Sequence, residues 1–152
     1  MQLRYFEDYV SGDVHDLGKV EVIEAEIIEF ARQYDPQPFH VDHDQAAESS
    51  FGGLIASGWH TASMFMRCYV DGLLADSACE GSPGVDEIRY HRPVRPGDQL
   101  TARLTVLGTS PSLRRPDTGV VKPKCEFVDA DGEVVFSMIL HSIFRRRPAT
   151  EE

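Results

Sequence analysis

Two periods of hydrophobic and polar residues run along this chain, a helical one through most of its first half and a strand-like one through its second. Residues 19–22 form a short predicted strand. Before them, Tyr5, Phe6, Tyr9 and Val10 stand among acids and are followed by Gly12, an aromatic-anchored opening that the pattern does not assign further. Across residues 24–34, Ile27, Ile28, Ala31 and Tyr34 recur at helical spacing and predict an amphipathic helix with Asp35 at its C-terminal end. Asp42 with Gln45 reads as a capping pair for a short helix to about residue 48, after which Ser49, Ser50, Gly52 and Gly53 break the chain. Residues 59–75 are apolar or small on nearly every side, and His60, Arg67 and Asp71 fall on one narrow polar stripe. The pattern predicts a helix buried over most of its surface.

Four strand-like segments follow, at residues 85–91, 99–107, 120–128 and 133–144. In the second, Leu100, Ala102, Leu104 and Val106 alternate with Thr101, Arg103 and Thr105, the period of a sheet with one face in water. The last is apolar on both faces, which places it centrally in the sheet. Pro123 implies an edge or a bulge, because proline cannot donate to a ladder. Turns are expected at residues 95–98, around Pro111, Pro116 and Gly119, and at residues 129–132. Helices first and short-linked strands afterwards imply one α+β domain over residues 1–145, an antiparallel sheet curled around one long buried helix, with a charged tail at 146–152.

Composition narrows the partners. A formal charge of -10 and a pI near 5.0 exclude a general nucleic-acid binder, which neutralises phosphates with a basic face. A phosphate-bearing ligand would need a local cluster, and Arg89, Arg92 and Arg95, with Arg103, are the dense basic group before the tail. They are substrate-binding candidates, against the plainer reading of a solvated strand edge. The chain is long enough to bury roughly 70% of its unfolded surface without a disulfide or metal. Its three cysteines, Cys68, Cys79 and Cys125, include no CxxC pair, which fits a reducing compartment. No apolar stretch is long enough to span a bilayer, and a cytoplasmic protein without a membrane partner is expected.

The chemistry concentrates in residues 34–63. Asp35 and His40 stand five apart, separated by Pro36 and Pro38, which forbid regular helix or central strand between them and predict a stiff, extended loop presenting an acid and a base. Such a pair suits proton transfer through one bound water; the alternative is an Asx-type turn and a structural histidine. Gly58 precedes the long buried helix, so its N–H is an orphan donor at the positive end of the dipole, suited to a developing oxyanion. The alternative makes Ser57 an ordinary N-cap with Gly58 as a permissive neighbour, and Ser63 a small residue bonding to its own i−4 carbonyl. His40-Val41-Asp42-His43 matches the end of the H-x-H-x-D-H zinc motif, but Pro38 replaces its first histidine and leaves too few ligands, so no metal is expected.

Residues 34–63, together with Arg92-Pro93-Val94-Arg95-Pro96-Gly97-Asp98, resemble the MaoC-like dehydratases, the group of the R-specific enoyl-CoA hydratases. The hydratase motif D-x-N-P-[LIV]-H stands here as Asp35-Pro36-Gln37-Pro38-Phe39-His40, with Gln37 in place of asparagine and Phe39 in place of an aliphatic residue. The resemblance, over about residues 5–145, implies a hot-dog fold. It implies hydration of a trans-2-enoyl thioester by Asp35 and His40, a carbonyl polarised by the Gly58 amide, and an aspartate oriented by Ser63. Family members often carry histidine before that glycine; Ser57 stands there, and no role transfers to it. The substrate would be a thioester of coenzyme A or acyl carrier protein, coenzyme A would enter only as part of the substrate, and subunits would pair at least as homodimers. A thioesterase on the same fold, or an acyl-thioester binding module without turnover, remains open.

Overall fold

The computed structural model describes residues 2–150. Strand β1 (Val14–Glu21) leads to helices α1 (Glu24–Tyr34), α2 (Pro38–Val41), α3 (His43–Glu48) and α4 (Gly58–Gly72); strands β2 (Gly84–Tyr90), β3 (Gln99–Pro111), β4 (Thr118–Val128) and β5 (Val134–Arg145) follow. The sheet has five strands in the order β1-β3-β4-β5-β2, and every neighbouring pair is antiparallel. It curls around α4, the hot-dog arrangement.

The alternation in β3 does what it predicts: Leu100, Ala102, Leu104 and Val106 are all buried beneath the helix. Phe65 of α4 meets Phe127 of β4 edge-on at 5.3 Å and lies 6.4 Å from Phe136 of β5. One turn further along α4, the Tyr69 hydroxyl and Ser142 Oγ are hydrogen-bonded at 3.0 Å. Burial lifts the Tyr69 phenol far above its ordinary pKa despite that bond, so the pair stays neutral within the core.

Four expectations need adjustment. Strand β1 starts at Val14, earlier than the pattern shows, because its register against β3 slips between Asp16 and Lys19. Gly18 takes φ +90° there and donates its N–H to Asp16 Oδ1 at 2.9 Å, so the period-2 signal is broken at the bulge. Pro123 marks a bulge and not an edge: it faces Val106, the next pair is Gly108 with Lys122, and Leu107 is left over. Strand β4 therefore occupies the centre, and β5 lies one place from it. Helix α4 is also less enclosed than expected, since Trp59, Ser63 and Val70 are exposed. His60, expected on the polar stripe, is instead buried under α1, its ring stacked on Phe30 at 4.9 Å.

The start of the charged tail is docked. Arg147 donates its backbone N–H to Glu7 at 2.9 Å and pairs through its guanidinium with Asp8, while Arg146 pairs with Glu7. Residues 151–152 lie outside the described residues.

Candidate functional site

Asp35 is the C-cap of α1, its N–H still bonded to the Ala31 carbonyl at 2.8 Å. The expected extended loop ends at Gln37. Pro38 opens the single turn of α2 at its N1 position, where the missing N–H costs nothing, so His40 projects from a short helix. This turn carries His40 back beneath Asp35. Its Nδ1 lies 2.7 Å from the Ile55 carbonyl, and a carbonyl only accepts, so Nδ1 carries the hydrogen. Nε2 then faces Asp35 Oδ2 at 3.3 Å. At that distance no water stands between them, and a proton can pass directly from one group to the other.

Both oxygens of Asp35 have further donors. Gln37 Nε2 donates to Oδ1 at 2.8 Å and Ser57 Oγ donates to Oδ2 at 2.7 Å. Burial acts to raise the Asp35 pKa, but the Gln37 amide, the Ser57 hydroxyl and the neighbouring His40 together outweigh it and hold the carboxyl below its ordinary value. Asp35 is poised as an anion. Ser57, by spending its hydroxyl on Asp35, does not cap α4. The N–H groups of Gly58, Trp59 and His60 consequently have no hydrogen-bond partner among the described residues.

These groups open on one cavity of about 460 Å³, into which Asp35, His40 and Gly58 all face. Its walls are Phe39, Phe51, Ile55, Trp59, Tyr90, Val94 and Val135, apolar surface suited to an acyl chain. The Tyr90 ring lies directly over Gly58: a Cβ added there would sit 2.3 Å from Tyr90 Cζ. Only glycine fits beneath the ring in this position.

Other expected site residues stand elsewhere. Ser63 does not reach Asp35; its hydroxyl donates to the Trp59 carbonyl at 2.7 Å on the exposed face of α4. Five residues along a helix is about 140° of rotation from Gly58, which turns Ser63 away. The arginines form no free cluster. Arg89 pairs with Glu87 on the surface, Arg92 with Asp98 at 3.0 Å and Asp129 at 3.3 Å, and Arg103 with Glu126 at 3.2 Å. Arg95 donates its guanidinium to the Phe51 carbonyl. Arg92 alone of these lines the cavity, with its charge already matched by carboxylates. His43 pairs with Glu24 on the outer surface, away from His40's partners. The parts that sequence reasoning missed are Ser57, Gln37 and Tyr90. For the first two the signal was present, since both are departures from the family's pattern; for Tyr90, which meets Gly58 only through the fold, there was none.

Comparison with known proteins bears on this arrangement. The MaoC like domain family matches residues 10–124. The (R)-specific enoyl-CoA hydratase of Rhodospirillum rubrum is 33% identical over 113 residues, which cover 74% of this chain and 76% of that protein. The crystal structure of a MaoC-like dehydratase from the same organism superposes with a TM-score of 0.86 at 40% identity, covering 96% of this chain and 99% of that one. A Mycobacterium tuberculosis protein with a double hot-dog fold is similar in fold alone, with a TM-score of 0.82 at 18% identity over 99% of this chain and 46% of that one. The family match spans most of the chain and takes in Asp35, His40 and Gly58 together, and the chain belongs to the MaoC-like dehydratase family.

Proposed function

We propose that this protein reversibly hydrates a trans-2-enoyl thioester to the 3-hydroxyacyl thioester. The observation that carries this is the Asp35–His40 pair, in direct contact beside the uncapped N–H of Gly58 at the wall of an apolar cavity. The Gly58 N–H, at the positive end of α4, donates to the thioester carbonyl and stabilises enolate charge as C3 becomes electrophilic. Asp35, as carboxylate, takes a proton from water as its oxygen bonds to C3. His40 supplies the proton that C2 gains, and the proton left on Asp35 returns to His40 across their contact. Water is thereby added across the double bond with no net proton change.

The carrier is coenzyme A or an acyl carrier protein, and no further cofactor is required by these steps. Subunits pair as homodimers: β2 lies at the sheet edge with Val85 and Tyr90 exposed, and Trp59 stands uncovered beside the cavity. Sedimentation at micromolar concentration is expected to show twice the chain's 17.0 kDa. Loss of enoyl absorbance from crotonyl-CoA tests the reaction. Asp35→Asn and His40→Ala should each slow it by at least about 100-fold. Wild-type rates in both variants, or release of free thiol in place of hydration, would overturn the assignment.

A further inference from the structure

Gln37 and Ser57 each stand at the N-cap of a helix, α2 and α4, and neither side chain caps it. Both donate to Asp35, one to each oxygen. These are also the two polar positions at which the sequence leaves the family's pattern, so the departures converge on a single carboxylate. An aspartate's terminal torsion is broad and two-fold, with little preference of its own for one orientation. Something external must set it.

We propose that Gln37 and Ser57 are positioning residues, a two-donor clamp that fixes the plane of the Asp35 carboxylate so that Oδ2 stays directed at His40 Nε2. This rests on the hydratase reading for its catalytic meaning. The two donors are unequal. Ser57 is 0% exposed, so water cannot replace its bond, whereas Gln37 is exposed and a solvent molecule can stand in for its amide. Ser57 therefore dominates. The same choice of partner leaves the Gly58 N–H uncapped, so one hydroxyl both orients the base and keeps the carbonyl site vacant of an internal acceptor.

Two measurements test this with Ser57→Ala, Gln37→Ala and the double variant. The first is a carbon-13 NMR titration of the Asp35 carboxyl in the ligand-free protein. Both donors favour the anion, so removing either raises the titration midpoint; although the Gln37 bond acts at least as strongly in the intact site, water can replace it and cannot replace that of buried Ser57, so Ser57→Ala raises the midpoint by more than Gln37→Ala and the double variant by most. The second is the rate of crotonyl-CoA hydration against pH. Ser57→Ala is expected to lower kcat by about 10- to 100-fold with little change in KM, since a hydrogen bond to a charge is lost and the base can rotate; Gln37→Ala lowers it by less than about 5-fold. The acid limb of kcat moves to higher pH, because a base with a raised pKa is protonated sooner as pH falls. An Asp35 midpoint in folded Ser57→Ala equal to the wild type would overturn the clamp. Should Ser57→Ala not fold, Ser57→Cys, which keeps the shape but replaces the hydroxyl by a weak donor, must still raise the midpoint, and an unmoved midpoint there has the same force. Because the titration needs no substrate, a protein inactive on enoyl thioesters would sink the proposed function while the clamp stood or fell on its own result.

Discussion

Replacing Gly58 by alanine tests the closest contact in the site. The added methyl would lie 2.3 Å from Tyr90 Cζ and 2.7 Å from both Cε atoms. Carbon atoms pack at about 3.5–4.0 Å, so the ring must retreat by more than about 1 Å. It can do so, because Tyr90 is 50% exposed and its inner neighbour, Phe136, is 5.9 Å away on one side only. Overpacking of this kind costs about 1–3 kcal/mol; the open side argues for the lower end, and alanine's better helix propensity offsets up to about 1 kcal/mol. The net loss of stability should stay below about 2 kcal/mol, a fall in Tm of at most about 8 °C for a chain of this size. If the cavity takes the substrate as proposed, activity is expected to suffer more, by about 100-fold, since the displaced ring forms one of its walls. The assay is a double-mutant cycle: crotonyl-CoA hydration and urea unfolding for Gly58→Ala, Tyr90→Ala and the pair. If the clash is the cause, Gly58→Ala does little further harm once Tyr90 is gone, and the coupling exceeds about 1 kcal/mol. Equal losses in both backgrounds would refute the reasoning, showing that the methyl acts on the carbonyl site and not through Tyr90.

Burial pushes the His60 imidazole below its ordinary pKa of 6.5, with Glu26 opposing only in part, and its Nδ1 has no partner among the described residues. Below that pH the unfolded chain takes up a proton that the folded one refuses, so stability should decline as pH falls from 6.5, and His60→Leu should flatten this slope in urea melts; an unchanged slope would refute it. Phe65→Ala empties a fully buried site between Phe127 and Phe136 and should cost about 3–5 kcal/mol in urea unfolding. Burial raises the Cys125 and Cys68 thiols, Cys125 most, so a thiol reagent should label the native protein at half-buried Cys79 and reach all three only in denaturant; labelling of native Cys125 at the rate of Cys79 would contradict its burial.

The elements that bury a regular face were readable from the chain: α1 and α4 by their 3.6 period, and β3 by strict alternation of Leu100, Ala102, Leu104 and Val106. Where a bulge interrupts the period, as at Gly18, the strand was read short. Asp35, His40 and Gly58 were legible because local chemistry marks them: a helix end, a proline-bounded turn and a helix start. Contacts made only by the fold were not. The Arg92 pairs with Asp98 and Asp129 bring together the approach to β3 and the β4–β5 turn, and nothing in their spacing shows that the cation is already neutralised. Ser63 entered the site only through the resemblance, and rotation around the helix turns its hydroxyl to the Trp59 carbonyl, the bond to the i−4 carbonyl that the chain itself suggested.

Ser57 shows why the two kinds of reading differ. A serine before a helix reads as a cap, and capping α4 would add about 1 kcal/mol to stability. The structure places the hydroxyl on Asp35 instead, 22 residues earlier in the chain, and leaves the helix start bare. Local propensity and tertiary contact compete for one hydrogen bond here, and the tertiary contact wins because the carboxylate is charged and the serine is fully buried; a hydrogen bond to a charged group is worth about 1.5–3 kcal/mol. The uncapped N–H groups are then a consequence of how the Asp35 carboxylate is held. A site that needs both an oriented carboxylate and vacant amide donors obtains the two from a single rotamer, which is why substitution at position 57 should disturb the carboxylate while leaving the Gly58 amide in place.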